Sequence, residues 1–261
     1  MALPLVVVAK GNAASENIRD CILASVPMDE LGRGEWGCGE FLMAEYEGSI
    51  VEIAPVHDAE YYIYASTHRS ESGTPCLAAH TPGNWGAAEM GGEPRTLNFS
   101  HPGKLKEIAV ALSSGAKRRG WQFSIEVDHH GPSVEKPVVF AEIGSGEAQW
   151  GVKEAGAIVA GAIVGAIRSD ARYPCHIGFG GTHYAPKFTP KVVSGDVAFG
   201  HIVSGYALER FGVDEEMVGQ AIGKNVGRAE LAEIDWKGVR GETRRKLTAA
   251  LDSLGMKWVR A

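Results

Sequence analysis

Seven of the nine histidines stand where a strand ends or where Gly and Pro turn the chain. His68 sits in Ser66-Thr-His-Arg-Ser70, His80 in Leu77-Ala-Ala-His-Thr-Pro-Gly-Asn-Trp85, and His101 precedes Pro102-Gly103. His129 and His130 lie in Glu126-Val-Asp-His-His-Gly-Pro132, His183 in Gly180-Gly-Thr-His-Tyr-Ala-Pro186, and His201 follows Gly200. His57 and His176 stand apart from this pattern. In open α/β sheets ligands bind beyond the carboxyl ends of the strands, so side chains at several such ends can share one cleft. Imidazoles bind zinc and move protons near neutral pH, and carboxylates complete such sites. Glu126, Asp128, His129, His130 and Glu142 are the candidate partners. On a continuous strand Glu126, Asp128 and His130 would share one face and His129 the other.

Other catalytic templates are missing from the sequence. There is no His-Glu-x-x-His helix, no Gly-x-Ser-x-Gly elbow and no Gly-Lys-Ser/Thr loop, and the strand-to-helix opening lacks Gly-x-Gly-x-x-Gly. These absences weigh against a zincin, a serine hydrolase, a dinucleotide binder and an NTPase. Gly178-Phe-Gly-Gly181 could bring backbone N–H groups toward an anion, although tight turns require glycine equally often.

The elements that must position these groups read as an α/β succession. A β-branched run over 3–9 reads as a buried strand, followed by a turn at Gly11-Asn12 and a helix over 13–24. Further strands are expected over 50–53, 61–65, 77–80, 123–127, 138–143 and 176–179. Helices are expected over 105–112 and 152–167, and the chain beyond Gly200 reads as mostly helical until a last strand at 257–259. Strands alternating with helices favour a layered α/β fold. With no repeat or Pro/Ser-rich linker, a single domain over 1–261 is expected.

Composition narrows the setting. The chain has 261 residues, 44% of them hydrophobic and 22% charged, which suits a globular protein rather than a disordered one. Four cysteines in no close pair fit a reducing cytoplasm. No signal peptide is read at the start. The longest apolar run, 155–167, falls short of the roughly 20 residues of a bilayer span. The net charge is −6, yet residues 224–261 hold nine Lys/Arg against five acids. A basic end on an acidic body can hold a polyanion locally. Trp85, Trp150 and Trp236 are aromatic candidates for base stacking, with core packing favoured for Trp150. Trp236 with Lys237, Arg240, Arg244 and Arg245 forms the best RNA-contact group.

Taken together and in order, Ser66-Thr-His-Arg-Ser-Glu-Ser-Gly73, His80-Thr-Pro-Gly-Asn-Trp85, Glu126-Val-Asp-His-His-Gly-Pro132, Glu142-Ile-Gly-Ser145, Gly178-Phe-Gly-Gly-Thr-His-Tyr-Ala-Pro186 and Gly200-His201 resemble the archaeal and plant-type D-aminoacyl-tRNA deacylase family. The resemblance runs nearly end to end. Lys10-Gly11-Asn12 departs from it, standing where Ser and Asp are expected. It implies hydrolysis of the ester between a D-amino acid and the tRNA 3′ end, with broad side-chain tolerance and zinc as cofactor. It also implies a three-layer αβα fold with a mixed sheet, similar to phosphorylase and peptidyl-tRNA-hydrolase-like proteins. The family's ligand set is not carried over residue by residue, so the assignment rests on the chemistry above. His80, His130, His183 and His201, with Glu126 or Glu142, are expected to hold one or two zinc ions. Glu142 is expected to be the proton acceptor, with His130 and His183 also catalytic. The expected partner is tRNA, with no membrane, DNA or obligate protein partner. The alternative reading is a zinc-dependent hydrolase of a small ester or amide, which would not need the basic end.

Overall fold

The computed structural model describes residues 2–261. The first part runs β1 (Leu5–Ala9), α1 (Ala13–Ser25), β2 (Asp29–Gly32), β3 (Glu35–Gly37), β4 (Leu42–Tyr46), β5 (Tyr62–Thr67), β6 (Cys76–His80), β7 (Gly83–Asn84) and β8 (Thr96–Leu97). The middle follows with α2 (Pro102–Arg119), β9 (Gln122–Ile125), β10 (Val138–Gly144), α3 (Glu147–Trp150) and α4 (Lys153–Arg168). The remainder is β11 (Cys175–Phe179), α5 (Thr189–Ser194), β12 (Ala198–Val203), α6 (Gly205–Phe211), α7 (Glu215–Gly223), β13 (Ala229–Ile234), α8 (Gly241–Ser253) and β14 (Trp258–Arg260).

The expected α/β architecture is present and is divided between two main sheets. The larger is mixed, in the order β2-β3-β4-β1-β5-β10-β6-β9, and the smaller is β12-β11-β13-β14, parallel at every pairing. Fully buried runs such as Leu5–Ala9 and Val138–Gly144, apolar but for Glu142, occupy central strands covered on both faces. One face of the large sheet packs Ile63, Ala79 and Ile143 against α1, α2 and α4 through Ile18, Leu105, Ile108 and Val159. Phe199 and Ile202 of β12 belong to that same core, which ties the small sheet to the large one. On the opposite face Tyr62, Tyr64, Val138 and Phe140 pack against the irregular chain carrying Ile50, Ile53 and Ala59. Residues of α6, α7 and α8 cover the small sheet through Leu208, Met217 and Leu247.

Helix α2 is a structural pivot. His101 caps its start, its Nδ1 accepting the Lys104 amide at 3.4 Å. Lys104 Nζ donates to the Ala166 and Ser169 carbonyls at the end of α4, at 2.9 and 2.7 Å. Lys106 Nζ donates to the Val192 and Gly195 carbonyls ending α5, at 2.6 and 2.7 Å. Each ammonium satisfies carbonyls that a helix end leaves unpaired.

Several expected elements are corrected. Residues 50–53 are a turn, with only the apolar side chains used. The helix expected over 105–112 runs from Pro102 to Arg119, stopped by Gly120 in the left-handed region at φ 70°. The β2–β4 ribbon lies in a Gly- and acid-rich stretch with little strand signal. The C-terminal part is not uniformly helical, because Ala229–Ile234 is a central strand of the small sheet.

Candidate active site

The alternation of β5, β6 and β10 decides what faces what. In register, Ser66 lies beside Glu142, and His80 beside Phe140. All four therefore share the sheet face that carries Tyr64, opposite the helices. Tyr64 stacks on Phe140 at 4.5 Å, and Phe140 on His80 at 5.2 Å. The column of rings continues through His129, 4.3 Å from His80, to His183, 4.6 Å from His129.

Strand β9 stops at Ile125 and the chain crosses to the small sheet. The Val127 amide donates to the His183 carbonyl at 3.0 Å and the Asp128 amide to the Ile202 carbonyl at 2.8 Å. The Glu126–His130 segment thus bridges the two sheets. On the other side, β11 empties into Gly180 and Gly181, at φ 101° and 82°, values that favour glycine. These turns deliver His183 to the same place.

Glu126 is the hub, with 1% exposure. Its Oε2 lies 3.6 Å from Nε2 of both His129 and His183. Its Oε1 lies 2.9 Å from His68 Nδ1, off hydrogen-bond alignment. Neither carboxylate oxygen has a hydrogen-bond partner among the described residues. Glu142 accepts from Ser66 Oγ at 2.9 Å and lies 3.8 Å from both His80 Nε2 and His68 Nδ1. Both nitrogens of the fully buried His80, and Nε2 of His68, are also without partners. A buried polar atom left unpaired is costly, so this many in one place points to an occupant that would pair them.

The far sides of three rings are already anchored. His129 Nδ1 lies 2.7 Å from the Val127 carbonyl, His130 Nδ1 2.6 Å from the Gly131 carbonyl and His183 Nδ1 3.2 Å from Tyr206 Oη. For His129 and His130 a carbonyl can only accept, so Nδ1 carries the proton and Nε2 keeps a lone pair. Such outer contacts orient metal-binding imidazoles. Three overlapping sets have ligand atoms within 4.8 Å of one another: His80, His129 and His130; Glu126, His129 and His183; His68, Glu126 and Glu142.

Electrostatics sorts the rings. Burial opposes charge on His68, but contacts with Cys76 and Glu126 and the nearby Glu142 outweigh it and raise its pKa to about 11. His80 is likewise raised against its burial, through Glu142. Burial, then the charge of His80, pushes His130 down to about 4. His129 is driven well below its usual range by burial and by His80 and His130. Burial would raise Glu126, yet His183 and His68 hold it well below the carboxylate range. Neutral His129 beside an ionised Glu126, with neutral His130 in the adjoining set, offers donors suited to a divalent cation.

The sequence-based assignment is partly reordered. His80, His130, His183, Glu126 and Glu142 do come together. His201 does not join them: its Nδ1 faces Asp128 Oδ2 at 2.9 Å and its Nε2 faces the Lys224 carbonyl at 2.8 Å. Both nitrogens are engaged, so His201 and Asp128 fasten the bridging segment to β12. His129 enters the cluster because β9 ends before Glu126 and period-two alternation lapses; His130 sits at φ 45°. His68, which the sequence-based ligand set does not include, also joins the cluster. Its signal was positional, since it follows β5 much as His80 closes β6.

Of the stacking candidates, Trp150 packs in the core as favoured, and Trp85 and Trp236 are taken up within the fold as well. Trp85 is 4% exposed and donates to the Gly212 carbonyl at 2.8 Å; Trp150 is buried and donates to the His68 carbonyl at 3.1 Å. Trp236 is occupied within the fold, with the Arg244 and Arg260 guanidinium carbons 4.2 and 3.9 Å from its ring centroid and Trp258 stacked at 6.1 Å. Arg244 also donates to the Trp236 carbonyl at 2.6 Å. Lys237, Arg240 and Arg245 remain exposed. Lys237 and Arg240 line a shallow groove with Tyr206 and Arg210, and Tyr206 connects that groove to His183.

Fold and site together define an α/β protein with a buried imidazole–carboxylate centre, the equipment of hydrolytic chemistry. A sequence model of D-aminoacyl-tRNA deacylases matches residues 56–259. A D-aminoacyl-tRNA deacylase of Archaeoglobus fulgidus is 32% identical, over 97% of this chain and 95% of its own length. One from Thermococcus kodakarensis is 36% identical, over 77% and 74%. The crystal structure of AF0625, a conserved protein of unknown function, matches at a TM-score of 0.90 and 30% identity, covering 99% of this chain and 95% of that one. The chain belongs to the D-aminoacyl-tRNA deacylase family, a family of hydrolases. No helix among the described residues is long and apolar enough to cross a membrane.

Proposed function

We propose that this protein hydrolyses the ester of D-aminoacyl-tRNA, releasing a D-amino acid and tRNA, with zinc bound at the His/Glu cluster and broad tolerance of the amino-acid side chain. The observation that carries this reading is the buried Glu126 carboxylate, which faces two imidazole Nε2 atoms with no hydrogen bond of its own. One zinc ion would be held by Glu126, His129 and His183, and a second would draw on His80 and His130. Bound there, zinc would polarise the ester carbonyl and bring a water molecule's pKa toward neutrality. Glu142, held by Ser66, takes the attacking water's proton on Oε2 and returns it to the leaving ribose oxygen. His183, steadied through Nδ1 by Tyr206, would present Nε2 to the first zinc and so help fix where the ester reacts. Lys237 and Arg240 meet tRNA phosphates on the approach, with Arg245 further along.

The test is deacylation of matched D- and L-aminoacyl-tRNA, with chelator and after zinc is restored. Hydrolysis of the D-ester alone, lost on chelation and recovered with zinc, is expected. Full activity in zinc-free protein would remove the metal from the reading. A rate insensitive to salt would favour a small-ester hydrolase, because binding a polyanion releases counterions.

A further inference from the structure

A cavity of about 450 Å³ opens beside Glu126, walled by Cys76, Phe123, Ser124, Ser145 and Tyr184. Glu126 is the one charged residue in its lining, and no Lys or Arg contributes. Its polar walls are largely committed to one another. Ser124 Oγ donates to the Tyr184 carbonyl at 2.7 Å, Ser145 Oγ to the Thr74 carbonyl at 2.5 Å, and Tyr184 Oη to Ser70 Oγ at 3.2 Å. Cys76 Sγ lies 3.4 Å from Ser145 Oγ. The surface offered to a ligand is therefore mainly apolar, with few directed demands. The cations lie on the other flank of His183, where Lys237 and Arg240 meet Tyr206.

We propose that this cation-free cavity receives the side chain of the aminoacyl group, while the nucleotide end approaches over Tyr206 from the Lys237–Arg240 groove. The inference rests on the deacylase reading above. A nucleotide carries phosphate charge that the cavity has no cation to meet, whereas an amino-acid side chain does not. The volume lies in the range of small-ligand pockets. A mainly apolar wall discriminates weakly between side chains, which accounts for the breadth of substrates proposed.

Two measurements test the assignment. Cys76→Phe narrows the cavity at its β6 wall, so the ratio of kcat/KM for D-Tyr-tRNA over D-Ala-tRNA should fall at least tenfold. Parallel loss on both substrates would overturn it. The second uses Cys21→Ser/Cys38→Ser protein, which leaves Cys76 as the accessible thiol because Cys175 is buried. An amide-linked 3′-D-tyrosylamino-adenosine should slow alkylation of Cys76 by N-ethylmaleimide severalfold, and adenosine should not. Equal protection by adenosine would place the nucleoside in the cavity, and no protection by either would empty the claim. Wild-type protein inactive on every D-aminoacyl-tRNA would defeat the underlying activity, and the pocket assignment with it. An active wild type with an unchanged substrate ratio in Cys76→Phe defeats the pocket alone.

Discussion

Removing His201 should destabilise the protein without abolishing the zinc binding proposed for the His/Glu cluster. The ring is fully buried, between Asp128 at 2.9 Å and the Lys224 carbonyl at 2.8 Å. In His201→Ala the Asp128 carboxylate, 3% exposed, keeps only the Ile202 amide, at 3.3 Å. Breaking one side of a buried pair costs about 3–5 kcal/mol. In a chain of this size each kcal/mol moves the melting temperature by about 2–4 °C, so a fall of roughly 10 °C is expected. Because the pair fastens Glu126–His130 to β12, kcat/KM should fall about tenfold through misplacement of Glu126 and His129. Thermal unfolding by circular dichroism and zinc per chain after equilibration measure the two halves. In a double-mutant cycle, His201→Ala and Asp128→Ala together should cost at least about 1 kcal/mol less than the sum of the singles. A His201→Ala protein with unchanged melting temperature and depleted zinc would refute the reasoning and restore His201 as a ligand.

Glu126→Gln leaves the shape but removes the hub's charge; retained zinc affinity should fall at least about 10-fold, measured by competition with a chromogenic chelator, and deacylation should fall further. His101 supplies a pH effect away from the cluster: burial first, then Lys104, lowers its pKa to about 4, and its Nδ1 must stay unprotonated to cap α2. Above pH 6.5 it is neutral folded and unfolded; as pH falls from 6.5 toward 4 the unfolded chain takes up the proton first, so stability declines by up to about 3 kcal/mol. His101→Asn, which caps without titrating, should flatten that acid limb in urea titrations. Gly205→Ala would put a Cβ 2.1 Å from the Gly238 carbonyl oxygen, costing about 1–3 kcal/mol and, because the Gly205 amide holds the Gly181 carbonyl at 2.9 Å, lowering kcat/KM by displacing His183; unchanged kinetics would show the turn tolerates it.

The central strands were legible because their apolar runs have one explanation, burial on both faces. The cluster was legible because histidines gather at chain reversals, where a strand hands its last side chain to a cleft. The membership of the set was harder. Whether His129 or His201 completes it depends on where β9 stops and on a contact with Asp128 across 73 positions, and neither leaves a local trace. Strand β13 was hidden because Ala-Glu-Leu-Ala-Glu-Ile has a composition that suits a helix, and only its place between β11 and β14 overrides that preference. Trp236 looked available because no sequence pattern foretells that Arg260, at the far end of the chain, folds over it.

The five residues after β9 that reach across to β12 place the proposed catalytic groups on a seam. Glu142 and His80 travel with one sheet, His183 with the turn leaving the other, and Glu126 with the strap between them. Neither half alone owns a complete set of donors. Gentle loosening of that joint, well short of melting either sheet, would scatter the centre while leaving the helical and strand content intact.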